Sequence, residues 1–400
     1  AQVLDELHRA DATELLIDGE SGLVEALSNA SNHLPITEFA VTSKEDTDVA
    51  DLMLESYLAS TQMNTALALQ PRQRCERVDT MGLGAATVKN LELIQCAADG
   101  QRKHSLLGLL DKTRTAMGAR LLKEWLLYPL VDLSAIDRRH QAVDSLVGSL
   151  MDRSSLREEL DGVRDLERLL TRIVAERATP REVSALSESI GRLPGLIETL
   201  SGSADSILKS IGSSIDPLTD AKTIIDQALV EEPPANLNSG GVIREGFHSE
   251  LDELIVIARE GKAWFQEYAE ALRAETEIVS LKIRYNHVFG YFIEVTRANL
   301  HRVPDTWLRK QTLSNAERYI TPELKEREEK VLGADERRVS LEAEIFDGLR
   351  AQLASFATRI QTTAARVAEI DVLQSLAEVA AVRQYVRPHL HEGSEIILEN

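Results

Sequence analysis

Two long segments of the chain repeat apolar residues at heptad spacing, which predicts helices that each bury one stripe of side chains. The first extends from about Phe247 to Ala274. Its apolar stripe is formed by Leu251, Leu254, Ala258, Gly261, Phe265, Tyr268 and Leu272. The second begins at Thr321-Pro322, where an N-cap residue precedes a proline at the first helical position. We therefore expect two long helices that flank the intervening segment.

The second helix is predicted to be very long, because no proline follows Pro322 until Pro388. At 1.5 Å per residue it would extend for roughly 100 Å. Its first half is almost entirely charged, as a solvated arm would be, and Gly333 and Gly348 are positions where it could bend. Its distal half carries an apolar seam formed by Phe346, Leu349, Leu353, Phe356, Ile360, Val367 and Ile370.

The segment between these helices has the two-residue alternation that is typical of β-strands. Apolar residues alternate with polar ones from Leu281 to Tyr285, and a turn is predicted at Phe289-Gly290. A second strand continues through Tyr291, Ile293 and Val295. We therefore predict an antiparallel arm, in which the two long helices run in opposite directions and the small sheet between them forms a β-rich tip.

The remainder of the chain is predicted to be mostly helical. Residues 87–230 form a succession of helices punctuated by glycine and proline, whereas residues 1–70 mix helical patches with a short strand at Glu14–Ile17. The predicted fold class is therefore mainly α. It comprises a multi-helix domain, two long antiparallel helices with a small β-rich tip, and a partial α/β segment at the N-terminal side.

Charge is distributed unevenly along these 400 residues. The net charge of the chain is −20, yet residues 281–322 hold seven Lys or Arg and three Asp or Glu, a net +4, which leaves −24 for the remainder. A localised positive charge in a chain that otherwise repels polyanions favours contact with a nucleic-acid phosphate backbone. The alternative is a solvated tip whose basic residues pair with neighbouring acids.

No arrangement of residues predicts catalysis, a cofactor or a metal site. Two cysteines, Cys75 and Cys96, do not make a disulfide framework, and no Cys/His spacing resembles a zinc site. Gly261-Lys262 lacks the upstream glycine and the following Ser or Thr of a phosphate-binding loop. No apolar run approaches the roughly 18 residues of a membrane span. These 400 residues are therefore predicted not to be an enzyme.

Three long motifs resemble the MutS family of DNA mismatch-repair proteins. They are NAERYITPELKEREEKVL (315–332), LKIRYNHVFGYFIEVT (281–296) and DKTRTAMGARLLKEWLLYPL (111–130). Shorter supporting pieces are ATVKNLEL (86–93), RDLERLL (164–170), ATPRE (178–182) and SGGVIREGFHSELDEL (239–254). Because these pieces occur in order between residues 86 and 332, the resemblance is specific.

The resemblance implies an internal piece of a longer protein. It would comprise the end of a connector domain (1–70), the first part of a helical lever (71–277), a β-rich DNA clamp (278–322) and the second part of the lever (323–400), ending before an ATPase domain. The full-length family uses ATP and Mg, forms a homodimer around double-stranded DNA with mismatches or small loops, and signals to MutL. A bacterial cytoplasmic, nucleoid-associated location follows from the same resemblance.

Backbone contacts to DNA are expected from eight clamp residues, namely Lys282, Arg284, Asn286, His287, Arg309, Lys310, Gln311 and Asn315. Arg284 stands where many family members have glycine, and His287 where many have lysine. The family's Phe-x-Glu mismatch reader belongs to an N-terminal domain that is not in this sequence. Phe292-Ile293-Glu294 has the same letters, but we interpret it as a coincidence within a clamp strand.

Two alternatives remain open from the sequence. A coiled-coil scaffold arm whose tip docks a protein partner would also explain the heptads and the aromatic residues, though not the positive charge at the tip. A MutS paralogue acting in recombination would share the lever and the clamp.

Overall fold

The computed structural model describes residues 7, 12–17, 35–38, 49–61, 80–286 and 288–398. The α-helices are α1 (Val49–Thr61), α2 (Ala85–Asn90), α3 (Leu106–Leu110), α4 (Ala116–Leu127), α5 (Leu133–Gly148), α6 (Leu150–Asp161), α7 (Leu166–Val174), α8 (Pro180–Ile190), α9 (Leu193–Gly202), α10 (Ser206–Ser214), α11 (Thr219–Ala228), α12 (Ser249–Thr276), α13 (Pro322–Ala354) and α14 (Ala357–Arg383). The strands are β1 (Leu15–Ile17), β2 (Ile36–Glu38), β3 (Lys282–Asn286), β4 (Gly290–Thr296), β5 (Leu308–Thr312) and β6 (Ala316–Ile320). The predicted mainly helical fold with a small antiparallel sheet is confirmed.

The chain divides into two compact units. One contains residues 1–178, 185–223 and 350–400, and the other contains residues 179–184 and 224–349. The predicted connector, lever and clamp boundaries differ from the bounds of these two units, and they stay predictions. In the described residues, no helix is both long enough and apolar enough to cross a membrane.

The first unit is organised around α14, which packs against α4, α5, α6 and α7. Apolar residues line α14 on more than one side, and Ile360, Val367, Ile370 and Val372 are fully buried. No residue of α14 between Val367 and Val379 is exposed. A helix that other helices enclose over that length needs this broad apolar surface. The part of the predicted seam that falls on α14 is therefore core.

Buried polar groups also attach α14 to the loop before α4. Asp371 accepts hydrogen bonds from the backbone amides of Arg114 and Thr115 and from the Thr115 hydroxyl, at 2.7–3.1 Å. The Thr115 oxygen in turn accepts from the amide of Gly118 at 2.9 Å and so caps α4. Burial raises the pKa of the Asp371 carboxyl, while the hydrogen bonds from its neighbours oppose that shift.

The long predicted helix is interrupted, and the expectation of one continuous helix to Pro388 is wrong. The interruption lies at Ser355–Phe356, between α13 and α14, whereas Gly333 and Gly348 both lie inside α13. The amide and the hydroxyl of Ser355 both donate to the carbonyl of Gln352, at 3.1 and 2.7 Å. These bonds tighten the chain to three-residue spacing and end the α-helical ladder.

The second unit contains the predicted pair of long helices. Tyr268 hydrogen-bonds Thr321 at 2.9 Å, and nearer the start of α12, Glu250 pairs with Arg337 at 3.3 Å. The contact near the end of α12 is therefore made to the start of α13, and the contact near the start of α12 is made to a residue further along α13. The two helices are antiparallel. Gly261 lies against Val331, where a larger residue would force the helices apart.

The chain between these two helices forms a four-stranded antiparallel sheet, in the order β3-β4-β6-β5. One face packs on α12 and α13, where the aromatic rings of Phe265 and Tyr291 stack at 3.9 Å between centroids. The cluster also holds Ala269, Leu272, Ile278, Leu281, Ile293, Val295, Tyr319, Leu324 and Val331. The predicted turn and the first two strands are confirmed by β3 and β4.

The structure describes the N-terminal segment only in short pieces. β1 and β2 pair in parallel, with Leu16 opposite Thr37, which agrees with the strand predicted at Glu14–Ile17. The Glu14 carboxylate accepts hydrogen bonds from the hydroxyls of Thr37 and Tyr57, at 2.5 and 2.6 Å, and these bonds lower its pKa. Most of the helical patch predicted at residues 3–10 lies outside the described residues.

We expect Gly290→Ala to destabilise the second unit by about 1–3 kcal/mol. Gly290 has φ +73°, and a Cβ there would collide with the Glu328 carboxylate, which holds the Tyr291 amide at 2.8 Å. Gly333→Ala in α13 is the matched control. No atom lies within 4 Å of its Cβ position, so alanine should stabilise the helix by up to about 1 kcal/mol. Urea unfolding followed by circular dichroism measures both, and equal effects would contradict this account.

Candidate nucleic-acid interface

The side of the sheet that faces away from α12 and α13 forms a polar surface, here called the outer face. Period-two alternation sends odd-numbered residues of β4, such as Ile293, into the core and even-numbered ones outward. The register then aligns one cross-strand row, in which Glu294 lies between Lys282 and Arg318 and Arg318 pairs with Gln311. The outer face comprises Lys282, Arg284, Phe292, Glu294, Gln311 and Arg318.

One aromatic ring on the outer face is covered by a cation. Phe292 is only 2% exposed, because the guanidinium carbon of Arg318 lies 4.2 Å from its ring centroid. This cation–π contact keeps the guanidinium over the ring. Its Nη1 donates to the Gln311 side-chain oxygen at 2.7 Å. Phe292-Ile293-Glu294 is thus part of β4, and within the described residues its ring lies under a guanidinium.

A single carboxylate serves two arginines on this surface. Glu294 lies 3.5 Å from Nε of Arg284 and 3.7 Å from Nε of Arg318. Both distances allow Coulombic pairing but exceed the length of a normal hydrogen bond. Consistent with this, Nε of Arg318 has no hydrogen-bond partner among the described residues.

The edge strand β5 presents the next two predicted residues. A register shift between Arg309 and Gln311 leaves Lys310 outside the regular pairing, as in a β-bulge. Lys310 is exposed and has no ionic partner in the described part of the chain. Arg309 is also exposed and lies 3.6 Å from Glu317, which accepts the Tyr319 hydroxyl at 2.5 Å. Burial and this hydrogen bond raise the pKa of Tyr319 to about 12.

The remaining predicted residues are dispersed. Asn286 ends β3, and its side-chain oxygen accepts the Val288 amide at 2.8 Å, so it shapes the hairpin turn. Asn315 lies in the β5–β6 turn, where its carbonyl accepts the amide of Arg297 at 3.1 Å. His287 lies outside the described residues. Lys282, Arg284 and Gln311 share the outer face, whereas Arg309, Lys310 and Asn315 lie at the β5 edge and its turn.

Two basic residues near these positions were missed by the sequence-based prediction. Arg318 lies at the centre of the outer face, and Arg297 is exposed beside the β5–β6 turn, with its guanidinium 3.3 Å from the Leu313 carbonyl. Residues 316–320 do not alternate between apolar and polar, so the sequence gives no periodic signal for Arg318, and its place follows from its pairing with Glu294 on β4. Arg297 begins a 3₁₀ turn and has no such signal either.

Ion pairing accounts for part of the positive charge. Carboxylates lie within 4 Å of four of the seven basic side chains, namely Arg284, Arg302, Arg309 and Arg318. Lys282, Arg297 and Lys310 have no such carboxylate among the described residues. These ion pairs orient the arginines, but they leave the net charge of residues 281–322 at +4. The surface therefore still attracts an anion.

Comparison of the sequence with known proteins finds one family model that covers all four strands of this sheet. A family model described as MutS domain III matches residues 86–377. The DNA mismatch repair protein MutS of Alkaliphilus oremlandii is 41% identical over 373 residues, 93% of this chain and 41% of that protein. The MutS proteins of Symbiobacterium thermophilum and Anaeromyxobacter sp. (strain Fw109-5) are 48% and 44% identical, over 80% and 86% of this chain and 36% and 39% of their own lengths. The chain spans about two fifths of the length of these relatives.

Proposed function

This chain belongs to the MutS family of DNA mismatch-repair proteins, and on that premise we propose that residues 278–322 act as a clamp that contacts the phosphate backbone of duplex DNA. The observation that carries the proposal is the outer face with the adjoining β5 edge. There, Lys282, Arg284, Arg309, Lys310 and Arg318 gather on one small sheet of an acidic protein.

The proposed contact is independent of DNA sequence. Lysine and arginine side chains donate to phosphate oxygens, which position a protein on DNA but carry no base information. The basic side chains lie on a four-stranded sheet, and we propose that they stay on the outside of the duplex and do not enter a groove to read base edges. The remaining −24 charge of the chain repels DNA elsewhere, which would confine binding to the clamp.

The wider activity is also a proposal, since the chain spans only 36–41% of its relatives. In the full-length protein, residues 71–277 and 323–400 would form a lever that transmits ATP-driven change from an Mg-dependent ATPase domain to the clamp. A homodimer encircling mismatched or looped DNA and signalling to MutL completes that scheme. By itself, this region would have no enzymatic activity.

Repair is favoured over recombination among the family alternatives. The relatives compared above, at 41–48% identity, are all named DNA mismatch repair protein MutS. The proposed role of this chain in repair follows those names. A complementation assay of mutation rate, with this region exchanged into a MutS protein, would test it, and restored repair is the expected outcome.

Replacing Arg309 and Lys310 together by alanine should flatten the salt dependence of duplex binding by roughly 1–2 units of slope. Each phosphate contact releases counterions and contributes a slope of about −0.9. Because the contacts are to the backbone, affinity for every duplex sequence should fall by the same factor. The measurement is fluorescence anisotropy with a labelled duplex over a range of salt concentrations. An unchanged slope would remove both residues from the interface.

The experiment that tests the proposal itself is binding of this chain to a matched duplex, from low salt to physiological salt. Binding that weakens steeply with salt, and equally for matched and mismatched duplexes, is expected of a clamp. One observation supports the alternative of a scaffold that docks a protein partner. Two apolar side chains at the sheet are exposed, Val288 at 80% and Leu308 at 61%. Absence of duplex binding even at about 20 mM salt would favour that alternative.

A further inference from the structure

We propose that Glu294 is an internal counter-anion, which occupies the place of a DNA phosphate between Arg284 and Arg318 and limits the affinity of the clamp for duplex DNA. The inference rests on the proposed function of the outer face. It adds a residue whose effect on binding is opposite to that of the basic side chains around it.

The position of Glu294 is central among the cations. It lies on β4, directly opposite Lys282 on one neighbouring strand and Arg318 on the other. Its two carboxylate oxygens approach different arginines, Oε1 that of Arg284 and Oε2 that of Arg318. An anion bound symmetrically by these cations would occupy the same region, because the attraction is greatest between them.

The two ion pairs are loose. At 3.5 and 3.7 Å they are longer than charge-assisted hydrogen bonds, which are about 2.7–2.9 Å. The Arg284 side chain makes no hydrogen bond within the described residues, so its guanidinium donors are available to another acceptor. A phosphate oxygen that formed direct hydrogen bonds would therefore improve on the contacts that Glu294 provides.

A second carboxylate on the same sheet, that of Glu317, differs from Glu294 because it is held by a hydrogen bond. Glu317 is buried on the side of the core and accepts the Tyr319 hydroxyl at 2.5 Å. That bond commits Glu317 to the packing of the sheet. The Glu294 side chain is 19% exposed, and its carboxylate accepts no hydrogen bond from any described residue. It can therefore turn away from the arginines without breaking a hydrogen bond.

The consequence for DNA binding follows from charge. A phosphate that approaches the outer face meets the negative charge of Glu294 as well as the positive charge of the arginines. Binding must exchange the Glu294 ion pairs for phosphate contacts, so the net gain per contact is small. A weak and exchangeable contact would let the clamp remain on DNA yet move along it, as non-specific backbone binding permits.

Glu294→Gln removes the charge and keeps the shape of the side chain. Duplex affinity should rise by about three- to tenfold at constant salt, the range for releasing one partly desolvated ion pair. The salt slope should become steeper by up to about one unit. Glu344→Gln is the matched control, since Glu344 also pairs with an arginine, Arg337 at 3.1 Å, in the same compact unit. The control should change affinity by less than about twofold.

The outcomes separate this inference from the proposed function. If Glu294→Gln has unchanged or lower affinity, while the Arg309 and Lys310 substitutions still weaken binding, the counter-anion role is overturned and the clamp proposal stands. If Glu344→Gln raises affinity equally, only net charge matters and the inference is again overturned. If neither the chain nor any of these variants binds a duplex at low salt, the proposed function itself fails, and the inference fails with it.

Discussion

Replacing Asp371 by alanine is expected to lower the free energy of unfolding of the first unit by about 3–5 kcal/mol. The carboxylate is fully buried and accepts from two backbone amides, the Thr115 hydroxyl and the Gln374 side chain. Alanine would leave these donors in the core without an acceptor, and it would release the loop before α4. The penalty for unsatisfied buried donors exceeds the net value of the bonds themselves.

Glu369→Ala is the matched control for that substitution. Glu369 lies two residues earlier on α14, is partly exposed, and pairs with Arg366 at 2.8 Å. Losing an exposed pair at this spacing costs less than about 1 kcal/mol. Urea unfolding of both variants, followed by far-ultraviolet circular dichroism, provides the comparison. A loss of under about 1 kcal/mol for Asp371→Ala would mean that water or rearranged side chains satisfy the four donors.

The second large effect is expected in DNA binding. Replacing Lys282 and Lys310 together by alanine should weaken duplex binding by about 10- to 100-fold at low salt and flatten the salt slope by about 1.8 units. Neither lysine has an ionic partner in the described part of the chain. Both can therefore reach phosphate without first breaking an internal pair. Anisotropy titrations at several salt concentrations give both quantities.

Lys325→Ala with Lys330→Ala is the control of equal charge. These lysines lie on α13, where Lys330 pairs with Glu326 at 2.8 Å, and they belong to the same compact unit as the clamp. If binding depends on the clamp surface, this control should change the slope by less than about 0.5 units. Equal losses in the two double variants would mean that net charge alone governs binding.

Some elements could be predicted because their signal is local. The proline after Thr321 positions the start of α13, and the alternation from Leu281 to Tyr285 identifies β3. Both depend on residues within a few positions of one another. The end of α13 was not predictable in the same way. It depends on how the Ser355 hydroxyl uses the Gln352 carbonyl, which heptad spacing does not encode.

The candidate site was only partly predictable for a similar reason. Basic residues near the tip were evident from composition, but the central position of Arg318 follows from the pairing of β4 with β6. The two strands are separated by a 3₁₀ turn and by β5. Which residues face each other across such a gap is set by register, and a shift of one residue would move Arg318 to the core side.

The sequence by itself determined the helical class, the antiparallel helix pair, the first hairpin of the sheet and the localised positive charge, because periodicity, proline position and composition are properties of neighbouring residues. Only the tertiary structure decided which of those charges share a surface and which carboxylate lies among them. Glu294 and Arg318 come within 3.7 Å although they are 24 positions apart in the chain. Proximity of that kind depends on strand register and core packing, which form only when the whole sheet closes on α12 and α13.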